Sequence, residues 1–310
     1  MTFKRIICTV IAGISLLNVA RAQLPETEIY LLNLDRDPKG YHISQPVKLA
    51  PNKGYNNQPW FAPDMRYLYF VSSVDTQNTE IYRYDLDKKR TRRITHTRES
   101  EYSPRWTPDE EWISCVRVEK DGVTQHLCLY NKKGKKPMTL FPELKQIGYY
   151  EWITQNEFIS FELPEPFSLV RHNLISKRSD TLAQQIGRCF YHMRTKSRMI
   201  YTDKSDSLHW VLRSVAPENL RTVRKGPKVE NPFFAELLPG EEDFCFMRDG
   251  SILMGHEGKL FYKKNPFRHP DSKWEEWADL KSLGIGPFYR ISISPDNTRL
   301  AIVVYKEKKP

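Results

Sequence analysis

The sequence predicts an all-β fold, a six-bladed β-propeller closed by pairing N- and C-terminal strands in one blade, and three observations carry that expectation. The first is a unit written more than once. Gln58-Pro59-Trp60-Phe61-Ala62-Pro63-Asp64, followed by an apolar run at 67–71, returns forty-five residues later as Ser103-Pro104-Arg105-Trp106-Thr107-Pro108-Asp109 with its run at 112–116. A third copy, Ile293-Ser294-Pro295-Asp296-Asn297, leads into the run 300–304. A period of roughly 40–45 residues with four strands per unit is that of propeller blades. The second observation is the turn inside each unit. Proline presets φ for a turn position and aspartate bonds its own backbone two residues on, so each copy reads as strand, tight turn, strand. The third is a matched deficit at the two ends. Residues 28–34 and 43–49 read as two strands with no Pro-Asp unit before them, and 289–294 and 299–305 supply two more before the chain stops. Two and two complete a blade, which zips the ring and removes the exposed edges a sheet must otherwise protect.

Between these ends the blades follow in order. The first uses 60–61, 67–72, 80–85 and 92–95; the second uses 105–106, 112–118, 124–130 and 137–140. The central hairpin of the second turns on Asp121-Gly122, a strong two-residue hairpin signal. The third opens at 149–152 and continues at 157–161 and 168–172, its Pro-Asp turn replaced by Thr154-Gln155-Asn156. The fourth reads 189–193, 199–202, 210–215 and 220–223, and the fifth 243–247, 251–254, 259–262 and 274–280. All seven tryptophans fall in these stretches, where large side chains pack sheet on sheet.

Residues 1–22 stand outside the fold. Lys4 and Arg5, the apolar stretch 6–19 and the small-x-small site Ala20-Arg21-Ala22 have the pattern of a secretory signal peptide, leaving 23–310 as one propeller domain. The expectation is an exported protein, periplasmic or extracellular, with no membrane span after cleavage and no nucleic-acid partner. The chain carries a formal charge of +10, of which Lys4, Arg5 and Arg21 belong to the leader. Basic and acidic residues are interspersed, as on a solvated surface.

Within these blades, Pro-x-x-(Ala/Thr)-Pro-Asp before a strand, Ile81-Tyr82-Arg83-Tyr84-Asp85-Leu86 and Arg92-Arg93-Ile94-Thr95 resemble the repeat of the TolB-like propellers. The likeness is nearly whole over 60–95 and partial over 106–118 and 291–303. Residues 242–280, with Gly258-Lys259-Leu260-Phe261-Tyr262 and Trp274-Glu275-Glu276-Trp277-Ala278-Asp279-Leu280, are similar to a secreted subset of that family. The resemblance implies a six-bladed propeller that binds other proteins, and it transfers no catalytic set.

The sequence holds no Gly-x-Ser-x-Gly elbow, phosphate loop or Gly-x-Gly-x-x-Gly, and its eight histidines have no metal-ligand spacing. We therefore expect a binding protein without catalytic residues, metal or cofactor. The recurring aspartates Asp64, Asp109 and Asp296 are turn formers. The better candidate is the channel. Aligning the blades on Phe61, Trp106, Trp152, Tyr191, Phe246 and Ile293 and stepping back three residues gives Gln58, Ser103, Tyr149, Arg188, Asp243 and Arg290. One residue further back stand Asn57, Tyr102, Glu242 and Tyr289, with Glu101 beside them. Charges and hydroxyls converging at a mouth suit a polar ligand, a peptide end or a glycan. The expected partner is another envelope or secreted protein, or a peptide or glycan at that mouth, bound by a monomer. Two alternatives are a lactonase-like hydrolase with a metal held by Asn57, Glu101, Glu242 and Asp243, and a glycan binder stacking sugars on Tyr102, Tyr149 and Tyr289.

Four cysteines remain after the leader. Cys115 and Cys128 sum to the same register as Asp121-Gly122 and face each other as a candidate cross-strand disulfide, while Cys189 and Cys245 fall on different blades. With a two-residue turn the pair would occupy a non-hydrogen-bonded position, with Cα atoms about 4.5 Å apart.

Overall fold

Strands that are apolar on both faces need a neighbour on each side, and a ring of sheets gives every strand two. The computed structural model describes residues 24–37, 40–43, 46–49, 53–73, 78–216 and 232–306. They form six antiparallel sheets. Blade one is Asn56–Phe61, Tyr67–Ser73, Thr79–Asp85 and Arg90–Arg93. Blade two is Ser100–Trp106, Trp112–Val118, Gln125–Asn131 and Met138–Leu140. Blade three is Ile147–Thr154, Glu157–Glu162, Ser168–Asn173 and Arg178–Gln184. Blade four is Ile186–Met193, Arg198–Asp203, Val211–Val215 and Phe233–Glu236. Blade five is Phe244–Phe246, Ile252–His256, Lys259–Lys263 and Trp274–Asp279. First strands of neighbouring blades touch one another and line the axis.

Blade six joins the chain ends. Its order from the axis is Phe288–Ile293, Arg299–Tyr305, then Thr27–Asp37, with Gly40–Ile43 outermost. The seam runs from Thr27 opposite Tyr305 to Asn33 opposite Arg299. The outer strand expected over 43–49 is instead two pieces, Gly40–Ile43 and Val47–Lys48, both paired with Thr27–Asp37. Pro46 lies between them and has no N–H to give the ladder.

The core sits between blades. Alternate side chains of one strand point to opposite neighbours. Leu68 and Phe70 therefore pack with Ile29 and Val303 of blade six, while Tyr69 packs with Ile113, Cys115 and Tyr130 of blade two. Six such clusters fill the six junctions. Each fully buried Leu, Ile or Phe contributes roughly 1.5–3 kcal/mol. Of the tryptophans, only Trp152 is deeply buried, at 3 % exposure.

The Pro-Asp turns behave as turn formers. Met65 N donates to Ala62 O, Glu110 N to Thr107 O and Asn297 N to Ser294 O, and each aspartate Oδ1 accepts the amide two residues on. Blade five repeats the device with Gly250 at the left-handed position, φ 83°.

Two local expectations are corrected. The strand expected at 220–223 lies outside the described residues, and its place in blade four is taken by Phe233–Glu236, whose Phe234 is buried against Phe246. The hairpin of blade two is wider than two residues. Gly122 N donates to Glu119 O, Glu119 N donates to Thr124 O, and Asp121 Oδ1 accepts from Val123 and Thr124. Cys115 still opposes Cys128. Because Glu119 and Thr124 form a hydrogen-bonded pair, alternation makes the cysteine pair hydrogen-bonded too, with Cα atoms about 5.5 Å apart. Both are free, buried thiols in this structure.

Candidate functional site

The first strands do not run straight to the mouth. Five of the six carry a register shift near their start, at Asn57/Trp60, Tyr102/Arg105, Ile147/Tyr149, Ile186/Phe190 and Phe288/Arg290. Gln58 and Ser103 take the left-handed conformation there, φ 54° and 52°. A bulge adds one residue, sharpens the twist and re-aims the side chains beside it. Repeated around the ring, it turns a row of polar residues toward the axis.

Arg290 of blade six reaches across that axis. Its Nη2 donates to the hydroxyl of Tyr149 in blade three at 3.4 Å, and its guanidinium lies over the Tyr149 ring. Blades three and six are opposite members of a six-blade ring, so this contact spans the channel. Arg188 of blade four binds both acids of blade five, Nη1 to Glu242 Oε1 at 2.7 Å and Nη2 to Asp243 Oδ2 at 2.7 Å. Arg290 Nε stands 3.6 Å from the same Asp243 oxygen. Burial opposes the charge on both arginines, yet Asp243 and Glu242 around Arg188, and Tyr149 and Asp243 around Arg290, hold their pKa values above the usual guanidinium range. Burial also pushes the Tyr289 hydroxyl up to about 12.

Supporting contacts position this group. Glu242 Oε2 accepts from the Arg188 amide at 3.1 Å and from Lys204 at 3.3 Å. Gly187 leaves the room: a Cβ there would lie 2.6 Å from Glu242 Oε2. Asn57 is buried, accepts the Gln58 amide at 2.7 Å and donates to the Tyr289 hydroxyl. Gln58 Oε1 accepts the Ser103 amide at 2.7 Å, clipping blade one to blade two. Tyr102 sits edge-on to Tyr55 at 6.4 Å.

Of the eleven residues expected at the mouth, Glu101 is placed elsewhere. It is 0 % exposed between blades one and two, where its Oε1 accepts from Thr97 and Tyr130. Its partner there is Glu80, also 0 % exposed, whose Oε1 binds Arg93 and the Thr97 amide. Desolvation, then the Glu80 charge, push Glu101 up to about 8. The reason is register: Glu101 and Tyr102 alternate on the strand, so Glu101 enters the junction with blade one while Tyr102 packs against the junction with blade three.

The four donors of a lactonase-like metal centre do not converge. Glu242 and Asp243 are bound by Arg188, Asn57 by Gln58 and Tyr289, and Glu101 lies in the junction. Among the described residues no three His, Cys, Asp or Glu gather as metal ligands. The stacking faces of two tyrosines are engaged as well: Tyr289 stacks on Tyr305 at 4.2 Å, and Tyr149 carries Arg290 on one side with Phe161 edge-on at 5.8 Å.

The opposite face holds a feature that the repeat pattern does not signal. A cleft of about 100 Å³ lies between Trp60, Trp106 and Trp152, with Arg105 ion-paired to Glu151 at 3.0 Å and Arg194 at its rim. Lys132, in the turn after Gln125–Asn131, lies over the Trp106 ring, and desolvation pushes it down to about 8.

No family model and no curated protein sequence matches the chain. Solved structures do. A protein of Agrobacterium tumefaciens assigned as TolB aligns over 92 % of this chain and 99 % of its own, at TM-score 0.65 and 11 % identity. TolB from Acinetobacter baumannii aligns over 91 % of this chain at TM-score 0.55 and 12 % identity, and this chain spans 64 % of its length. An oligogalacturonate lyase in complex with manganese aligns over 84 % of this chain and 80 % of its own, at TM-score 0.56 and 11 % identity. Identities this low speak for architecture alone, and the chain has the six-bladed β-propeller fold of the TolB structures.

Proposed function

We propose that this protein is an exported binding platform that receives a polar ligand or protein segment at the channel mouth where Arg188, Asp243, Arg290 and Tyr149 meet. The carrying observation is that Arg290 crosses the axis to Tyr149, so four successive blades, the third to the sixth, contribute to one polar cluster. Desolvated charges are costly to maintain for stability alone, and clusters of this kind concentrate at functional sites. The repeat's resemblance to the TolB-like propellers supports a protein partner, and the leader pattern at 1–22, which lies outside the described residues, supports export to the periplasm or beyond. Among the described residues no helix is long and apolar enough to cross a membrane. The protein works as a monomer, each blade leaving a single short outer edge strand.

The test is affinity capture from the envelope fraction of the producing organism, wild type against Arg290→Ala/Asp243→Ala. The proposal expects partners retained by the wild type and lost by a double variant of unchanged circular dichroism. Identical capture by both proteins moves the site off the axis.

A further inference from the structure

We infer that Arg290 is the seat for a single carboxylate at the end of a peptide chain. This deepens the reading of the channel mouth as the binding site and rests on it. The two arginines of the mouth are not equivalent. A guanidinium has five N–H donors. Arg188 commits two nitrogens to Glu242 and Asp243 at 2.7 Å each. Arg290, with its side chain only 14 % exposed, makes one long hydrogen bond to Tyr149, and its Nε lies beyond hydrogen-bond reach of Asp243 at 3.6 Å. Among the described residues its other donors meet no acceptor, and they are not sealed: none belongs to the buried polar atoms that lack a partner. They open into the channel.

The charge balance of the mouth points the same way. Glu241 nearby is paired with His256. Among the direct ion pairs of the mouth three cations, Arg188, Arg290 and Lys204, share the two carboxylates of Glu242 and Asp243, so one further negative charge fits beside Arg290. One carboxylate supplies that charge and matches the planar fork with two parallel hydrogen bonds. A phosphate dianion overshoots the balance and meets Asp243 and Glu242. The Tyr149 hydroxyl, which accepts from Arg290, keeps its own O–H as a further donor beside the fork. Because Arg290 reaches from blade six to blade three, a chain entering the channel stops at this level, and an entering C-terminus brings its own carboxylate to the fork.

The probe is a pool of N-acetylated tetrapeptides, made once with free C-terminal acids and once as amides, titrated calorimetrically into the purified protein. The inference expects the acid pool to bind at least about tenfold tighter, the scale of a charge-assisted bidentate contact. Arg290→Gln should erase the acid preference. Tyr149→Phe, which leaves the scaffold intact, should reduce acid binding by about threefold, with thermal denaturation confirming both folds. Acid and amide pools that bind alike, both weakened by Arg188→Gln, overturn the carboxylate seat and leave the mouth standing. Binding indifferent to all three substitutions overturns the mouth reading itself. No binding of either pool at millimolar concentration overturns the inference, and so does tighter binding of galacturonate oligomers, which assigns the carboxylate to a glycan.

Discussion

Arg290 and Tyr149, 141 residues apart in sequence, meet at 3.4 Å across the propeller axis. The contact ties the last blade to the third and makes the channel mouth a single charged cluster. Its anchor is Asp243, 8 % exposed, which serves Arg188 directly and faces Arg290.

Asp243→Asn should therefore be destabilising. It leaves Arg290 with no carboxylate and Arg188 with Glu242 alone. Breaking a buried pair costs about 3–5 kcal/mol, reduced here because Arg188 stays partly solvated, so we expect about 2 kcal/mol and a Tm lower by roughly 5 °C. A variant that melts with the wild type would show that water, not Asp243, balances the arginines.

Ring closure is tested by removing residues 27–49. The deletion strips Ile29, Leu31, Leu32 and Leu34 from the junctions and leaves Arg299–Tyr305 as a bare edge. At roughly 1.5–3 kcal/mol per side chain the loss matches the whole stability of a typical domain. The truncated protein should misfold or associate through the edge, which size-exclusion chromatography reads. A monomer with wild-type Tm would refute closure.

Glu101 and Glu80 predict a pH dependence. Each has an Oε2 sealed from solvent without a hydrogen-bond partner, while Arg93 binds Glu80 and Tyr130 and Thr97 bind Glu101. We infer that Glu101 holds a proton and turns it toward the facing Glu80 carboxylate. Glu101 keeps its proton in the fold up to about 8, against an ordinary value of 4.5 when unfolded. Between those values the folded state binds the extra proton, so stability is greatest below pH 4.5 for this group and falls as pH rises to 8. Glu101→Gln supplies a permanent N–H donor to Glu80. Its Tm should equal the wild type near pH 5 and exceed it by several degrees at pH 8. Parallel Tm–pH curves for the two proteins would rule out the proton on Glu101.

The cysteine pair makes a chemical prediction. Opposed Cα atoms about 5.5 Å apart suit a disulfide, and we propose that export oxidises Cys115 and Cys128. Burial pushes both thiols up, so the reactive thiolate is scarce once the blades have packed. Oxidation must then precede burial, and the folded reduced protein should resist thiol reagents. Thiol counting on the denatured, unreduced exported protein should find two free groups, Cys189 and Cys245. Four exclude the bridge.

Several features were decided by local chemistry and were legible in the chain. The Pro-Asp turns recur because proline and aspartate favour that backbone wherever they fall, so Ala62–Met65, Thr107–Glu110 and Ser294–Asn297 needed no tertiary help. The repeat spacing set the blades, and the unpaired strands at both ends implied the seam of Thr27–Asp37 with Arg299–Tyr305. Stepping back along aligned strands found Arg188, Asp243 and Arg290, because equivalent positions in a repeat occupy equivalent places around an axis. Tertiary structure decided the rest. Glu101 and Tyr102 are neighbours in sequence, and only the packing of the blades decided that Glu101 enters the junction with blade one and Tyr102 the side facing blade three. The turn at Glu119–Thr124 shifted the cysteine pair from one hydrogen-bonding class to the other, which a count from Asp121-Gly122 does not detect. The Trp60–Trp106–Trp152 cleft arises from three blades brought side by side. Contacts between blades follow from ring geometry, where distance along the chain carries no information about distance across the axis.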